Sequence, residues 1–115
     1  MHSAYTLGNR RHFIASVAAL SAWPLAQAAK TPHILIVGDS LSAEYGLARG
    51  TGWVSLLEQK LKTEQSLATV TNASISGETT FGGRTRLPAL LKQHQSSVVV
   101  IELGGNDGLR GQPPQ

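Results

Sequence analysis

No cysteine occurs anywhere in the chain. That absence excludes a disulfide-stapled scaffold, a thiolate nucleophile and every cysteine-based zinc or iron–sulfur site, and it leaves the redox compartment open. Charge is sparse at 15% of residues and aromatics make up 5%, with no basic stripe interleaved with aromatics. The electrostatic footprint of a nucleic-acid binder is therefore missing. The formal net charge of +3 does not restore it. Arg10 and Arg11 lie in the first thirty residues, and without them eight basic residues stand against seven acidic ones. No low-complexity tract or excess of one charge marks a disordered chain. What remains, 115 residues of which 41% are hydrophobic, is at most one globular domain.

The N-terminus reads as an export leader, residues 1–28. Arg10 and Arg11 precede the apolar stretch Phe13–Trp23, which is followed by the helix-breaking Pro24 and the small-residue pattern Ala26-Gln27-Ala28. The apolar stretch is too short to span a hydrocarbon core of ~30 Å as a helix. It also lacks the polar face of an amphipathic first helix. The run Asn9-Arg10-Arg11-His12-Phe13-Ile14 is similar to a twin-arginine signal, and the general secretory route accepts such a leader too. Both routes end outside the cytoplasm, in the periplasm or the medium, with no stable membrane anchor. A mature chain is expected to start near Ala29, so the remaining domain is residues 29–115.

Past the leader, His33–Val37 is a short continuous apolar run, the pattern of a parallel strand buried on both faces. Trp53–Leu61 places Trp53, Leu56, Leu57 and Leu61 at helical spacing. Ala68–Ala73 is a second strand candidate, and Gly77–Gly83 a Gly- and Thr-rich loop. Arg86–Gln95 reads as a helix with Pro88 in its first turn. Ser97–Leu103 carries the strongest strand signal, and Gly104-Gly105-Asn106-Asp107-Gly108 ends it. The order β-α-β-α-β predicts a parallel sheet covered by helices on both sides. Ligands bind such sheets outside the carboxyl ends of the strands. The loops at 38–42, 74–83 and 104–111 each follow a strand and are expected to converge there.

Ser40 sits two residues beyond the first strand, just before an expected helix start. A serine there serves equally as a helix N-cap or as a nucleophile with the N–H groups of the helix start beside it. Gly77 offers a backbone amide with no Cβ to block a substrate, or simply a turn. Asn106 offers a side-chain NH₂ donor, or caps its own turn. Asp39 adjoins Ser40 too closely to stand behind a histidine as a triad acid. It is expected to orient the loop by hydrogen bonds, as is Asp107 beside Asn106.

The three blocks Gly38-Asp39-Ser40-Leu41-Ser42, Asn72-Ala73-Ser74-Ile75-Ser76-Gly77-Glu78-Thr79 and Glu102-Leu103-Gly104-Gly105-Asn106-Asp107-Gly108-Leu109-Arg110-Gly111 closely resemble successive blocks of the GDSL, or SGNH, hydrolases. They are most similar to its bacterial periplasmic branch of acyl-CoA thioesterase/lysophospholipase and arylesterase. The resemblance runs from about Ile34 to Gln115. It implies a three-layer α/β/α sandwich with a parallel sheet, related to flavodoxin. It also implies Ser40 as nucleophile and Ser40, Gly77 and Asn106 as the oxyanion hole. The substrate would be a small acyl ester or thioester, with no cofactor and no metal. Leu109 and Arg110 fall in a Gly-flanked loop at the rim of such a site, where Leu109 is expected to contact the acyl chain.

The family's acid and base lie in a D-x-x-H block that has no counterpart here. His33 opens the first strand at the far end from the site, and His94 closes the second helix. The chain is therefore expected to be the N-terminal part of such a domain, short of its C-terminal strands and helix and inactive by itself. A flavodoxin-like module that binds a phosphate or nucleotide at the 38–42 loop without catalysis is the alternative. Export of the chain in a bacterial host should give a mature N-terminus within a residue or two of Ala29 by intact-mass analysis. Retention of residues 1–28 on exported protein would overturn the leader reading.

Overall fold

The computed structural model describes residues 30–113, and the expected leader over residues 1–28 lies outside them. Six elements follow one another: β1 (His33–Gly38), α1 (Trp53–Thr63), β2 (Thr69–Asn72), α2 (Thr80–His94), β3 (Val98–Glu102) and the short α3 (Gly105–Leu109). The three strands form one parallel sheet in the order β2-β1-β3. Ile34 pairs with Val70 on one side and Val98 on the other, and Gly38 pairs with Glu102. The path runs from β1 out to β2 and then back across to β3. Right-handed crossovers therefore place α1 and α2 on opposite faces of the sheet. α1 packs on β2 and α2 on β1. The fold is α/β with a parallel sheet, in the order the sequence predicts.

β1 holds the core. Leu35, Ile36 and Val37 are at most 1% exposed, joined by Val54 of α1. A strand with neighbours on both edges and helices on both faces has no side to give to water, which is why its apolar run is continuous. β3 is the strand that Ser97–Leu103 predicts. It lies at the sheet's edge, and Val98 and Ile101 are 48% and 58% exposed.

The apolar stripe of α1 is rotated from the expected one. Val54 is buried and Leu57 and Leu61 are half-buried, at spacing i, i+3, i+7, while Trp53 and Leu56 are exposed. Gly52, the N-cap, has no side chain to receive the free amides. Glu44 in the preceding loop replaces it: its carboxylate accepts from the N–H groups of Gly50 and Gly52 and from the Ser55 hydroxyl.

α2 begins six residues before Arg86, at Thr80, so part of the expected Gly- and Thr-rich loop is helical. Thr79 caps it by accepting from the Gly82 N–H at 3.3 Å. Pro88 consequently lies inside the helix and not in its first turn, leaving the Arg84 carbonyl without its helical donor. Gly83 is buried where α2 crosses toward the end of β3, and a Cβ there would overlap Leu103 Cδ1. The glycines that weaken this helix locally allow its close packing. Gly105–Gly108, expected as part of a loop, form most of α3, with Gly104 as its N-cap. Among the described residues no helix is long and apolar enough to cross a membrane.

Gly83→Ala should destabilise the chain by about 1–3 kcal/mol, the usual cost of overpacking a filled contact. Urea denaturation followed by circular dichroism measures it, and an unchanged midpoint would show that α2 does not approach Leu103 this closely.

Candidate active site

Parallel strands end on a common edge, and the chain reverses its winding at β1, the position where open parallel sheets bind ligands. Ser40 lies there, half-buried, one residue beyond the buried Asp39. It does not open a helix as expected. The N–H groups of Ser42 and Ala43 donate to the Asp39 carbonyl at 3.2 and 3.0 Å, and that of Tyr45 to the Ser40 carbonyl at 3.2 Å. This is a single turn, and the next helix starts only at Trp53. Glu44, at φ 59°, takes the backbone out of the right-handed region and ends the turn.

Asp39 Oδ1 accepts from the Leu41 N–H at 2.9 Å, and Oδ2 from Asn106 Nδ2 at 3.2 Å. The carboxylate thus ties its own loop to α3, with no histidine behind it. Asn106 Nδ2 also donates to the Glu78 carbonyl at 2.9 Å, so both amide hydrogens have acceptors. Asp107 accepts from the Thr80 N–H at 2.9 Å and the Thr80 hydroxyl at 2.6 Å. Arg110 Nη2 donates to the Gly77 carbonyl at 3.0 Å. Three side chains within one helical turn therefore grip the segment 77–80. Arg86 holds the same segment from α2, pairing with Glu78 at 2.8 Å and donating to the Ala73 carbonyl at 3.0 Å. The Ile75 N–H closes onto the Gly38 carbonyl at 3.0 Å, completing the junction of all three loops.

The backbone N–H groups of Ser40 and Gly77 have no acceptor among the described residues. Gly77 adopts φ 81°, a region costly for residues with a Cβ, so the amide's direction depends on glycine at this position. Leu109 is 86% exposed, as a rim residue would be, whereas the Arg110 guanidinium is engaged at Gly77. An open cleft of about 600 Å³ runs beside α3, lined by Thr80, Phe81, Arg84, Gly108 and Pro113.

Neither histidine of the described residues reaches this edge. The ring nitrogens of His33 meet Ser96 Oγ at 2.7 Å and Thr71 Oγ1 at 2.8 Å, and the ring stacks on His94 at a centroid distance of 5.6 Å. The pair caps the opposite end of the sheet.

A serine after β1, a glycine amide after β2 and an asparagine after β3 thus lie on one edge of the sheet. Residues 36–115 match the model of the GDSL-like Lipase/Acylhydrolase family. The chain belongs to that family. It is 54% identical over 90 residues to the protein named Esterase TesA of Pseudomonas aeruginosa, covering 78% of this chain and 45% of that one. It is 55% identical over 89 residues to Thioesterase 1/protease 1/lysophospholipase L1 of Escherichia coli, covering 77% of this chain and 41% of that one. The fold superposes on the psychrotrophic esterase EstA of a Pseudoalteromonas species, solved inhibited by monoethylphosphonate, with a TM-score of 0.67 and 58% identity. That superposition covers 70% of this chain and 44% of EstA. The chain thus spans less than half the length of these GDSL-type relatives.

Several side chains that build this edge were not singled out from the sequence: Ser42, Glu44, Glu78, Arg86 and Glu102. Glu102 carries the plainest signal, a carboxylate near the end of an otherwise apolar strand. Glu78 and Arg86, eight residues apart across a helix start, show no spacing rule that would pair them.

The Thr80 hydroxyl, and then its N–H, hold the Asp107 carboxyl below the usual aspartate range. A lowered carboxyl pKa contributes stability above the unfolded value, and that stability is lost as pH falls through the folded one. At pH 7, Asp107→Asn should lower the thermal midpoint of the chain. The difference should close as the pH drops below the ordinary aspartate value of about 4. A difference independent of pH would show that the carboxylate charge is not what holds Thr80.

Proposed function

We propose that this chain carries the nucleophile and the oxyanion hole of a serine hydrolase cleaving carboxylic esters or acyl thioesters through an acyl-enzyme on Ser40. The observation that supports it is the meeting of Ser40, Gly77 and Asn106 on one sheet edge, with the amides of Ser40 and Gly77 unclaimed. Ser40 Oγ attacks the acyl carbonyl as its proton passes to a base, and the carbonyl oxygen takes up the negative charge. The N–H groups of Ser40 and Gly77 receive that oxygen. Asn106 Nδ2 adds a third donor by turning one hydrogen from Glu78 or Asp39 onto it. The tetrahedral species expels the alcohol or thiol, and water releases the acyl group by the same route. Asp39 and Asp107 act as orienting groups, Asp39 by holding Asn106 against the nucleophile loop.

The base in this reading is a histidine from outside residues 30–113, paired with an aspartate, since His33 and His94 are engaged at the far end of the sheet. Residues 30–113 in this reading carry the nucleophile and the donors, and the base comes from elsewhere. Aryl esters, acyl-CoA thioesters and lysophospholipids are the substrate classes, in keeping with the names of the relatives. Leu109 meets the acyl chain at the rim. The protein works in the periplasm or outside the cell after loss of its leader. A phosphate-binding module is less well supported, because no helix opens at Ser40 to supply the N-terminal dipole and the Asp39 carboxylate lies beside the loop.

Joining this chain at Gln115 to the C-terminal half of the Pseudomonas aeruginosa relative provides the test. The joined chain should hydrolyse p-nitrophenyl acyl esters. Ser40→Ala should lower its kcat by at least ~10³-fold, and Asn106→Ala by roughly 10²–10³-fold. A Ser40→Ala protein as active as its parent would overturn the reading.

A further inference from the structure

The nucleophile loop rests on a buried polar knot. Ser42 is 1% exposed, and every polar group it has is engaged. Its hydroxyl donates to Glu102 Oε1 at 2.6 Å and accepts from the Trp53 indole N–H at 3.0 Å. Its N–H donates to the Asp39 carbonyl at 3.2 Å, and its carbonyl accepts from Asn72 Nδ2 at 2.7 Å. Glu102 Oε1 also takes the Asp39 N–H at 3.4 Å. Glu102 Oε1 thus accepts two donors, one from each side of Ser40, as a carbonyl-type oxygen with two lone pairs can.

The sheet register brings this knot beneath the loop. Gly38 and Glu102 are paired across β1 and β3. A Cβ on Gly38 would lie 2.6 Å from Ser42 Oγ and 2.9 Å from Glu102 Oε1. The carboxylate can reach under the tip of β1 only because residue 38 has no side chain. It then holds the residue before Ser40 by its amide, and through Ser42 it holds the second residue after. Trp53 ties the start of α1 to Ser42 Oγ, and Asn72 ties the end of β2 to the Ser42 carbonyl.

We infer that Glu102 is a positioning residue: acting through Ser42 and the Asp39 amide, it fixes the backbone on both sides of Ser40 and so aims the Ser40 hydroxyl and N–H. The inference rests on the nucleophile reading of Ser40, yet it can be judged without turnover. A merely space-filling role would be served by any side chain of similar bulk, whereas this role needs an acceptor at Oε1.

NMR on the 115-residue chain reads it directly. Two signals report the knot: the Trp53 indole N–H resonance and the ¹⁵N order parameters of the Ser40 and Leu41 amides. In the parent, the loop amides should show order parameters near ~0.85, the rigid-backbone value. Glu102→Ala should shift the indole resonance and drop the loop amides below ~0.6. Glu102→Gln, which keeps an acceptor oxygen in place, should restore both signals, whereas Glu102→Met, of similar bulk with no such oxygen, should stay as loose as the Ala variant. Should Glu102→Ala fail to fold, Ser42→Ala removes both bonds of the hydroxyl and Trp53→Phe removes one, and each should loosen the same amides. Glu102→Ala or, failing it, both of those variants with unchanged loop order would overturn the inference. So would a Gln variant as loose as the Ala one. Loss of the hydrolase reading has a different signature: the joined chain with Ser40 intact shows no esterase activity while the NMR signals behave as described.

Discussion

Everything at the candidate site hangs from the burial of β1. Leu35, Ile36 and Val37 are the most completely enclosed apolar side chains of the described residues, and the strand is hydrogen-bonded on both edges. A side chain of this kind contributes about 1.5–3 kcal/mol when removed from water, so the strand has little freedom to slip. Shifting it by one residue would turn its side chains to the opposite faces. With β1 locked, Asp39 and Ser40 emerge at a fixed point, and parallel pairing carries the ends of β2 and β3 to the same edge.

From that edge inward, control passes from apolar packing to polar bonds. The loop after β2 is gripped from α3 by Asn106, Asp107 and Arg110 and from α2 by Arg86. The loop that carries Ser40 is held by Asp39 from within and by Glu102 from below. Charge-assisted hydrogen bonds of this density preorganise donors before a substrate arrives, and preorganisation is what makes an oxyanion hole effective.

Much of the fold was legible because β1 states its environment in sequence. A continuous apolar run followed by Gly38-Asp39-Ser40 has few other readings, and the alternation of strands and helices then requires a parallel sheet. The errors have equally physical origins. Gly82 and Gly83 argued against helix, and tertiary packing on Leu103 overrode them. The helix expected after Ser40 was lost to Glu44, whose left-handed backbone and three-way capping of the α1 start belong to long-range geometry. The motif residues Ser40, Gly77 and Asn106 could be named from local sequence, whereas Ser42 and Glu102, sixty residues apart, meet only through the register.

The most direct measurement is a crystal structure of the joined chain after reaction with a monoethylphosphonate ester. The phosphorus should be bonded to Ser40 Oγ. One phosphoryl oxygen should lie about 2.7–3.1 Å from the Ser40 N–H, the Gly77 N–H and Asn106 Nδ2, with Asn106 turned from one of its present acceptors. A phosphonate attached to another side chain, or bonded to Ser40 with its oxygen facing away from Gly77 and Asn106, would contradict the assignment of this edge as the catalytic one.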